Sequence, residues 1–191
     1  MVKIQTITQT PKPNTIMSID ASTNSMAFAV FSDDTLTSYG KINFKGSTPY
    51  DKVVDAAKKV RAFIALYPEI EAIVIEHTVF MNSPKTAADL ALVQGGLLGA
   101  AGVPLIRSVA PITWQNYMGN KKPTKEELLK IKADNPGKSD SWIKTSIREV
   151  RKQRTMKIIG IIYDKIVTDN DVADAIGVGH YAVNNWERLT K

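Results

Sequence analysis

Apolar residues along this chain alternate between two rhythms. Residues 16–31 form an apolar, largely β-branched stretch broken only by the polar turn Ala21-Ser22-Thr23-Asn24. Residues 37–44 resume it after the turn Ser32-Asp33-Asp34. Residues 72–76 and 104–108 are shorter runs of the same kind. Such runs predict strands of a sheet covered on both faces. The first segments follow one another too closely for helical crossovers, so they are expected to form an antiparallel meander. Elsewhere the rhythm is helical. Over residues 50–67, Val53, Val54, Ala57, Val60, Phe63 and Ile64 fall on one stripe, with Asp51 in the first turn and Pro68 as the stop. Ser83-Pro84 opens a second helix with face Leu90, Val93, Leu97 and Leu98, and Gly102 ends it. Gly95, Gly96 and Gly99 weaken this helix by about 1 kcal/mol each relative to alanine. They also let another backbone come close, either at a helix pair or on the helix's own sheet. A short helix around 125–132, a long one over 139–165 and a last one capped by Asn170 complete the pattern.

The order strand, strand, helix, strand, helix, strand, helices, with the first strand-like stretch interrupted by its polar turn, predicts an α/β fold. Its sheet is mixed and five-stranded, an antiparallel meander joined to parallel strands, with helices on both faces. Residues 15–191 read as one domain, residues 1–14 as a flexible N-terminal arm, and residues 119–138 as a charged insertion marked off by glycine and proline.

Composition narrows the chemistry. The chain has 191 residues, 43% of them hydrophobic, and no cysteine, so disulfides and thiolate zinc sites are excluded. With two histidines, His77 and His180, an imidazole-rich centre is not expected. No signal-peptide pattern and no apolar run of about 18 residues occurs, so the expected setting is the cytoplasm, without a membrane partner. The net charge of +6 is localised: residues 121–165 carry 13 Lys and Arg against 6 Asp and Glu, or +7, which leaves −1 for the remainder. A basic segment of this kind is the footprint of a polyanion partner, nucleic acid or a membrane surface, although a solvated lysine-rich helix has the same composition.

Four carboxylates carry the candidate chemistry. Asp20 and Glu76 each end a buried-strand run, and Asp171 and Asp174 lie three apart on one helix face. The predicted sheet brings the first two to one edge, where the last helix can add the other pair. Converging carboxylates repel one another unless a cation lies between them, and hard divalent ions prefer oxygen ligands. The expectation is a two-metal phosphoryl-transfer site.

These residues resemble the RuvC-type Holliday-junction resolvases of the ribonuclease H-like superfamily. The matching pieces are Ser18-Ile19-Asp20-Ala21-Ser22, Ile75-Glu76-His77-Thr78-Val79-Phe80-Met81, the alanine- and glycine-rich helix to Ala101, and Asp171-Val172-Ala173-Asp174-Ala175-Ile176. The resemblance runs from about residue 16 to 185. The segment between Trp114 and Arg148 is longer than in compact cellular members, and one extra residue separates Glu76 from Phe80. Asp171 stands where some cellular members have histidine. The long basic insertion looks more like the bacteriophage and viral branch, which would place the protein in a host cytoplasm.

The resemblance implies hydrolysis of a phosphodiester in branched DNA with two Mg²⁺ ions, for which Mn²⁺ can substitute, held by Asp20, Glu76, Asp171 and Asp174. It implies a lysine near the scissile phosphate, for which Lys152 and Arg154 are the candidates. DNA contacts are expected from Lys85, Lys121, Lys122, Lys144, Arg148, Arg151, Lys152, Arg154 and Lys157, and from Phe80 stacking at the branch point. A core role for Phe80 is the competing expectation. A homodimer is implied, with the helix of residues 83–101 partly in its interface, because two active sites related by a two-fold axis can nick opposing strands of a four-way junction. Two alternatives remain at this stage: a non-catalytic nucleic-acid-binding module of the same fold, and an actin-like or sugar-kinase-type phosphotransferase domain. Trp114 is expected to pack the helix after Pro111 rather than touch DNA.

Overall fold

The computed structural model describes residues 11–77 and 83–189. Five strands form one sheet: β1 (Thr15–Ala21), β2 (Ser25–Ser32), β3 (Thr35–Asn43), β4 (Ala72–Glu76) and β5 (Leu105–Val109). Their spatial order is β3-β2-β1-β4-β5, with β1–β2 and β2–β3 antiparallel and β1–β4 and β4–β5 parallel. The mixed five-stranded sheet expected from the sequence is therefore present. The meander arises because its connections are tight turns, the second with Asp33 at φ 52°.

Helices cover both faces. On one lie α1 (Pro49–Leu66) and α2 (Pro84–Ala101), over Met17, Ile19, Val30, Ile73 and Ile75. On the other lies α6 (Asn170–Asn184), over Ile16, Ala27, Ala29, Phe31 and Val74, backed by α3 (Pro111–Tyr117) and α5 (Asp140–Tyr163). The charged insertion carries α4 (Lys125–Asp134), which buries none of its own residues, and the described chain ends in a 3₁₀ turn, Trp186–Arg188. Among the described residues no helix is long and apolar enough to cross a membrane.

Local signals explain the helix ends. Thr48 and Asp51 form a capping box on α1, and Thr124 and Glu127 form one on α4. Ser83 caps α2 ahead of Pro84, and Gly102 closes it at φ 66°. Two readings need correction. Asn170 does not cap α6; Asp169 does, accepting from the amides of Asp171 (2.9 Å) and Val172 (3.2 Å), because a cap precedes the first helical residue. On α1, Val54 is 70% exposed, and Ala56 takes the buried place beside Val60 and Phe63. Gly96 faces α1, where an added Cβ would lie 2.5 Å from Val53; Gly95 and Gly99 face open space.

The closest contact is that of α6 with the sheet. Ser18 Oγ donates to the Ala175 carbonyl at 2.7 Å, and a Cβ on Gly179 would lie 2.2 Å from the Phe31 ring. Two residues earlier, a Cβ on Gly177 would meet Trp114 at 2.5 Å. Gly179 thus lets the helix settle onto β1 and β2, and Gly177 lets Trp114 pack against it. At the chain's start, Lys12 pairs with Asp34, and the Asn14 amide donates to Glu71 at 2.9 Å.

Candidate metal centre and basic cleft

Strand register places the acids. Asp20 pairs with Ala27, Ala27 pairs with Lys41, and Ile19 pairs with Ile75, which sets Glu76 beside Asp20. Residues opposite one another share a sheet face, so Lys41, Ala27, Asp20 and Glu76 form one row under α6. α6 then supplies Asp174 from above. Carboxylate oxygens of Asp20, Glu76 and Asp174 all lie within 4.8 Å of one another.

Three acids this close, and largely shielded from water, resist ionising together. Burial, then the Asp20 and Asp174 charges, push Glu76 up to about 9; the Trp114 indole acts in the opposite direction, although its N–H makes no well-formed hydrogen bond. Burial and the Asp171 charge push Asp20 up to about 7, against the pull of Lys41. Burial and Asp20 push Asp174 to about 7, against Lys152 and Arg151. The donor set is all oxygen and needs added positive charge to ionise fully, which fits a hard divalent cation.

Asp171 is placed differently. Its Oδ2 lies 2.6 Å from Lys41 Nζ, and the same ammonium lies 3.0 Å from Asp169 Oδ2. It is not a member of the close triad, although its charge reaches Asp20. Lys41 was not foreseen as a site residue. Its signal lay in hairpin register: the Ser32-Asp33-Asp34 turn, with a register shift at Val30/Phe31, decides which β3 residue stands in line with Asp20.

A cleft of about 750 Å³ opens from Glu76 and Asp174 toward the insertion. Lys144, Arg148, Arg151, Lys152 and Thr155 line it from α5, spaced so that they share one helical face, and Lys122 joins from the insertion. Arg151 is built into the wall: its Nη2 donates to Gln115 Oε1 and to the Asn120 carbonyl at 3.1 Å. Asn120, almost fully buried, donates to Thr155 Oγ1 at 2.8 Å. Among the described residues Lys152 pairs with Glu149 at 3.6 Å, and its charge is felt by Asp20 and Asp174.

The other basic residues are dispersed. Lys121 and Arg154 line a second cavity of about 660 Å³ between α4 and α5, shared with Lys122 and Arg151. Lys157 borders a shallow hollow with Lys165. Lys85, at the start of α2, pairs with Asp89 at 2.6 Å. Trp114 is fully buried, as expected. Phe80 lies outside the described residues.

No family profile and no curated protein matches the sequence. The fold does have solved counterparts. A Thermus thermophilus RuvC structure is similar with a TM-score of 0.62 at 14% identity, over 92% of this chain and 98% of that one. Thermus thermophilus RuvC in complex with a Holliday junction substrate gives a TM-score of 0.60 at 15% identity, over 90% and 96%. The yeast mitochondrial Holliday junction resolvase gives 0.53 at 11% identity, over 92% and 80%. At these identities the likeness is one of fold.

Proposed function

We propose that this protein is a structure-selective endonuclease that resolves Holliday junctions by metal-dependent phosphodiester hydrolysis. One observation carries the reading: Asp20, Glu76 and Asp174 converge at the end of a cleft whose other wall bears Lys144, Arg148, Arg151 and Lys152. The cluster supplies anionic oxygen ligands and the wall supplies cations for phosphates. The solved counterparts, one of them bound to a Holliday junction, support the choice of branched DNA.

In this mechanism the three acids, with Asp171 as a fourth, would hold Mg²⁺ or Mn²⁺. Bound there, such ions would supply activation of the attacking water and charge neutralisation at the leaving oxygen. Asp20, on the central strand, fixes the ligand geometry because it pairs with Ala27 on β2 and follows Ile19, the last residue of β1 paired with β4. Lys152 is the nearest loosely held cation and stabilises charge developing on the phosphate. Arg151, braced by Gln115 and Asn120, presents a fixed guanidinium to a neighbouring phosphate. Lys121, Lys122, Lys144, Arg148, Arg154 and Lys157 follow the DNA arms, with Lys85 at the far margin. Phe80, immediately after the Glu76 strand, stacks at the branch point.

We place the homodimer contact on α2, where Gly95 and Gly99 face open space and Leu92 is 38% exposed. The test is cleavage of four-way junctions and matched linear duplexes, with Mg²⁺ or with EDTA. Paired nicks in the junction that vanish in EDTA are expected. Tight junction binding with no cleavage under Mg²⁺ or Mn²⁺ would move the assignment to a non-catalytic binding module.

A further inference from the structure

Lys41 has no part in the mechanism above, yet it is bound to the acid that stands apart from the triad. It lies on the edge strand β3, in the same row as Asp20, with only the methyl group of Ala27 between them. The small residue leaves the sheet surface open for the lysine stem to cross toward α6. There the ammonium contacts Asp171 at 2.6 Å and Asp169 at 3.0 Å, and the side chain is only 27% exposed.

The two acids hold Lys41 for different reasons. Asp169 Oδ1 accepts from two α6 amides, so its position is fixed by the helix cap, while Lys41 contacts Oδ2 at 3.0 Å and Oδ1 more distantly at 3.4 Å. Asp171 is in the first turn of α6 and makes no such cap; its carboxylate is free to turn toward Asp20 and Asp174. Lys41 therefore has one permanent partner and one exchangeable partner. A cation that recruits Asp171 must compete with the ammonium, which would stay on Asp169.

We propose that Lys41 is a positioning residue that holds Asp171 away from the carboxylate triad and makes the second divalent-ion site the weaker of two. This rests on the metal-dependent reading above. Lys41 acts through Asp171 and by placing a like charge near the incoming ion, so removing its charge should strengthen metal binding, although it also removes a contact between β3 and α6.

The experiment is Mn²⁺ titration by calorimetry, without DNA, on the wild-type protein and on Lys41→Met, Lys41→Gln and Lys41→Arg, with thermal melting of each in EDTA. In Lys41→Met and Lys41→Gln the weaker Mn²⁺ event should tighten by about tenfold or more, or become visible for the first time, because one nearby positive charge is gone. Lys41→Arg should stay within about twofold of wild type. A tether without influence on the metal would lower the melting temperature and leave Mn²⁺ affinity unchanged. That result, or weaker Mn²⁺ binding in both neutral variants, overturns the proposal. Lys41→Gln keeps a hydrogen-bond donor to Asp171 and serves if Lys41→Met fails to fold. A wild-type protein that binds no Mn²⁺ overturns the metal-dependent reading as well; one that binds Mn²⁺ but does not respond to the Lys41 substitutions overturns this inference alone.

Discussion

Asp171 and Asp174 stand one helical turn apart on α6, and only Asp174 joins Asp20 and Glu76; Asp171 turns to Lys41, 2.6 Å away. Three residues along a helix advance the side chain by about 300°, so the two acids share a face but diverge at its edges. Asp174 points over the centre of the sheet, and Asp171 reaches toward the edge strand that carries Lys41. The pair therefore differs in placement even though its spacing makes it look equivalent.

The division of labour sets the expected order of defects. Asp20→Asn, Glu76→Gln and Asp174→Asn should each lower Mg²⁺-dependent junction cleavage by about 10³-fold or more, since several kcal/mol of charge stabilisation are lost at about 1.4 kcal/mol per decade. Asp171→Asn should cost about tenfold. Junction affinity measured in Ca²⁺ or EDTA should change little in all four. A Glu76→Gln protein that cuts at near wild-type rate would remove Glu76 from the ligand set.

The acids also make the metal-free protein pH-sensitive. Asp20 and Asp174 rise to about 7 and Glu76 to about 9 in the folded state, against about 4 when unfolded. As pH rises past about 4, the unfolded chain gives up these protons before the folded one, so their contribution to stability falls until the folded groups ionise. In EDTA, melting should decline between pH 5 and 8 relative to an Asp20→Asn/Glu76→Gln/Asp174→Asn variant. Saturating Mg²⁺ should restore it, since a ligand at about 100 times its Kd adds about 2.7 kcal/mol. Equal pH profiles for the two proteins in EDTA would show that the cluster is not strained by its own charge.

Lys122→Ala, Lys144→Ala and Arg148→Ala combined should weaken DNA binding mostly through salt. If each contacts one phosphate, the slope of log affinity against log salt should fall by about 0.9 for each. Arg151→Ala is a different case. It breaks the links to Gln115 and Asn120 as well, so it should lower the melting temperature along with DNA affinity. An unchanged salt slope in the triple variant places the DNA outside this cleft.

Phe80→Ala separates two roles. Stacking at an opened branch point would reduce junction cleavage more than junction affinity, because phosphate contacts hold the DNA while the ring helps distort it. A core role would instead cost about 3–5 kcal/mol in melting with normal cleavage per folded molecule.

Much of this arrangement was readable from residue patterns. Ile16, Ile19, Ile73 and Ile75 announced buried central strands, and the short turns between the first three strands required antiparallel pairing. Asp20 and Glu76 could be placed side by side because each ends its run. Ser83-Pro84 and Gly102 gave both ends of α2. The rest depends on distances between elements remote in sequence. Which β3 residue lines up with Asp20 is set by hairpin register and a register shift, and strand propensity carries no information on it. The choice between Val54 and Ala56 on α1 depends on how the helix is rotated against α2, where Gly96 admits Val53. The bracing of Arg151 by Asn120 joins two segments about thirty residues apart, and composition alone shows only that both are polar.

The glycines of α6 have a consequence for how such a centre can change. Nothing at Gly179 or Gly177 has any affinity for a cation or a phosphate, yet the gap between Asp174 and the strand acids is set by how near the helix lies to Phe31 and Trp114. A single methyl group at Gly179 acts as a shim. It should cost about 1–3 kcal/mol in stability and also widen the spacing between the carboxylate oxygens of Asp174 and the strand acids. The tolerance of the proposed catalytic geometry would thus be set in a dry layer of side chains underneath it, where selection for tight packing and selection for activity would act on the same atoms.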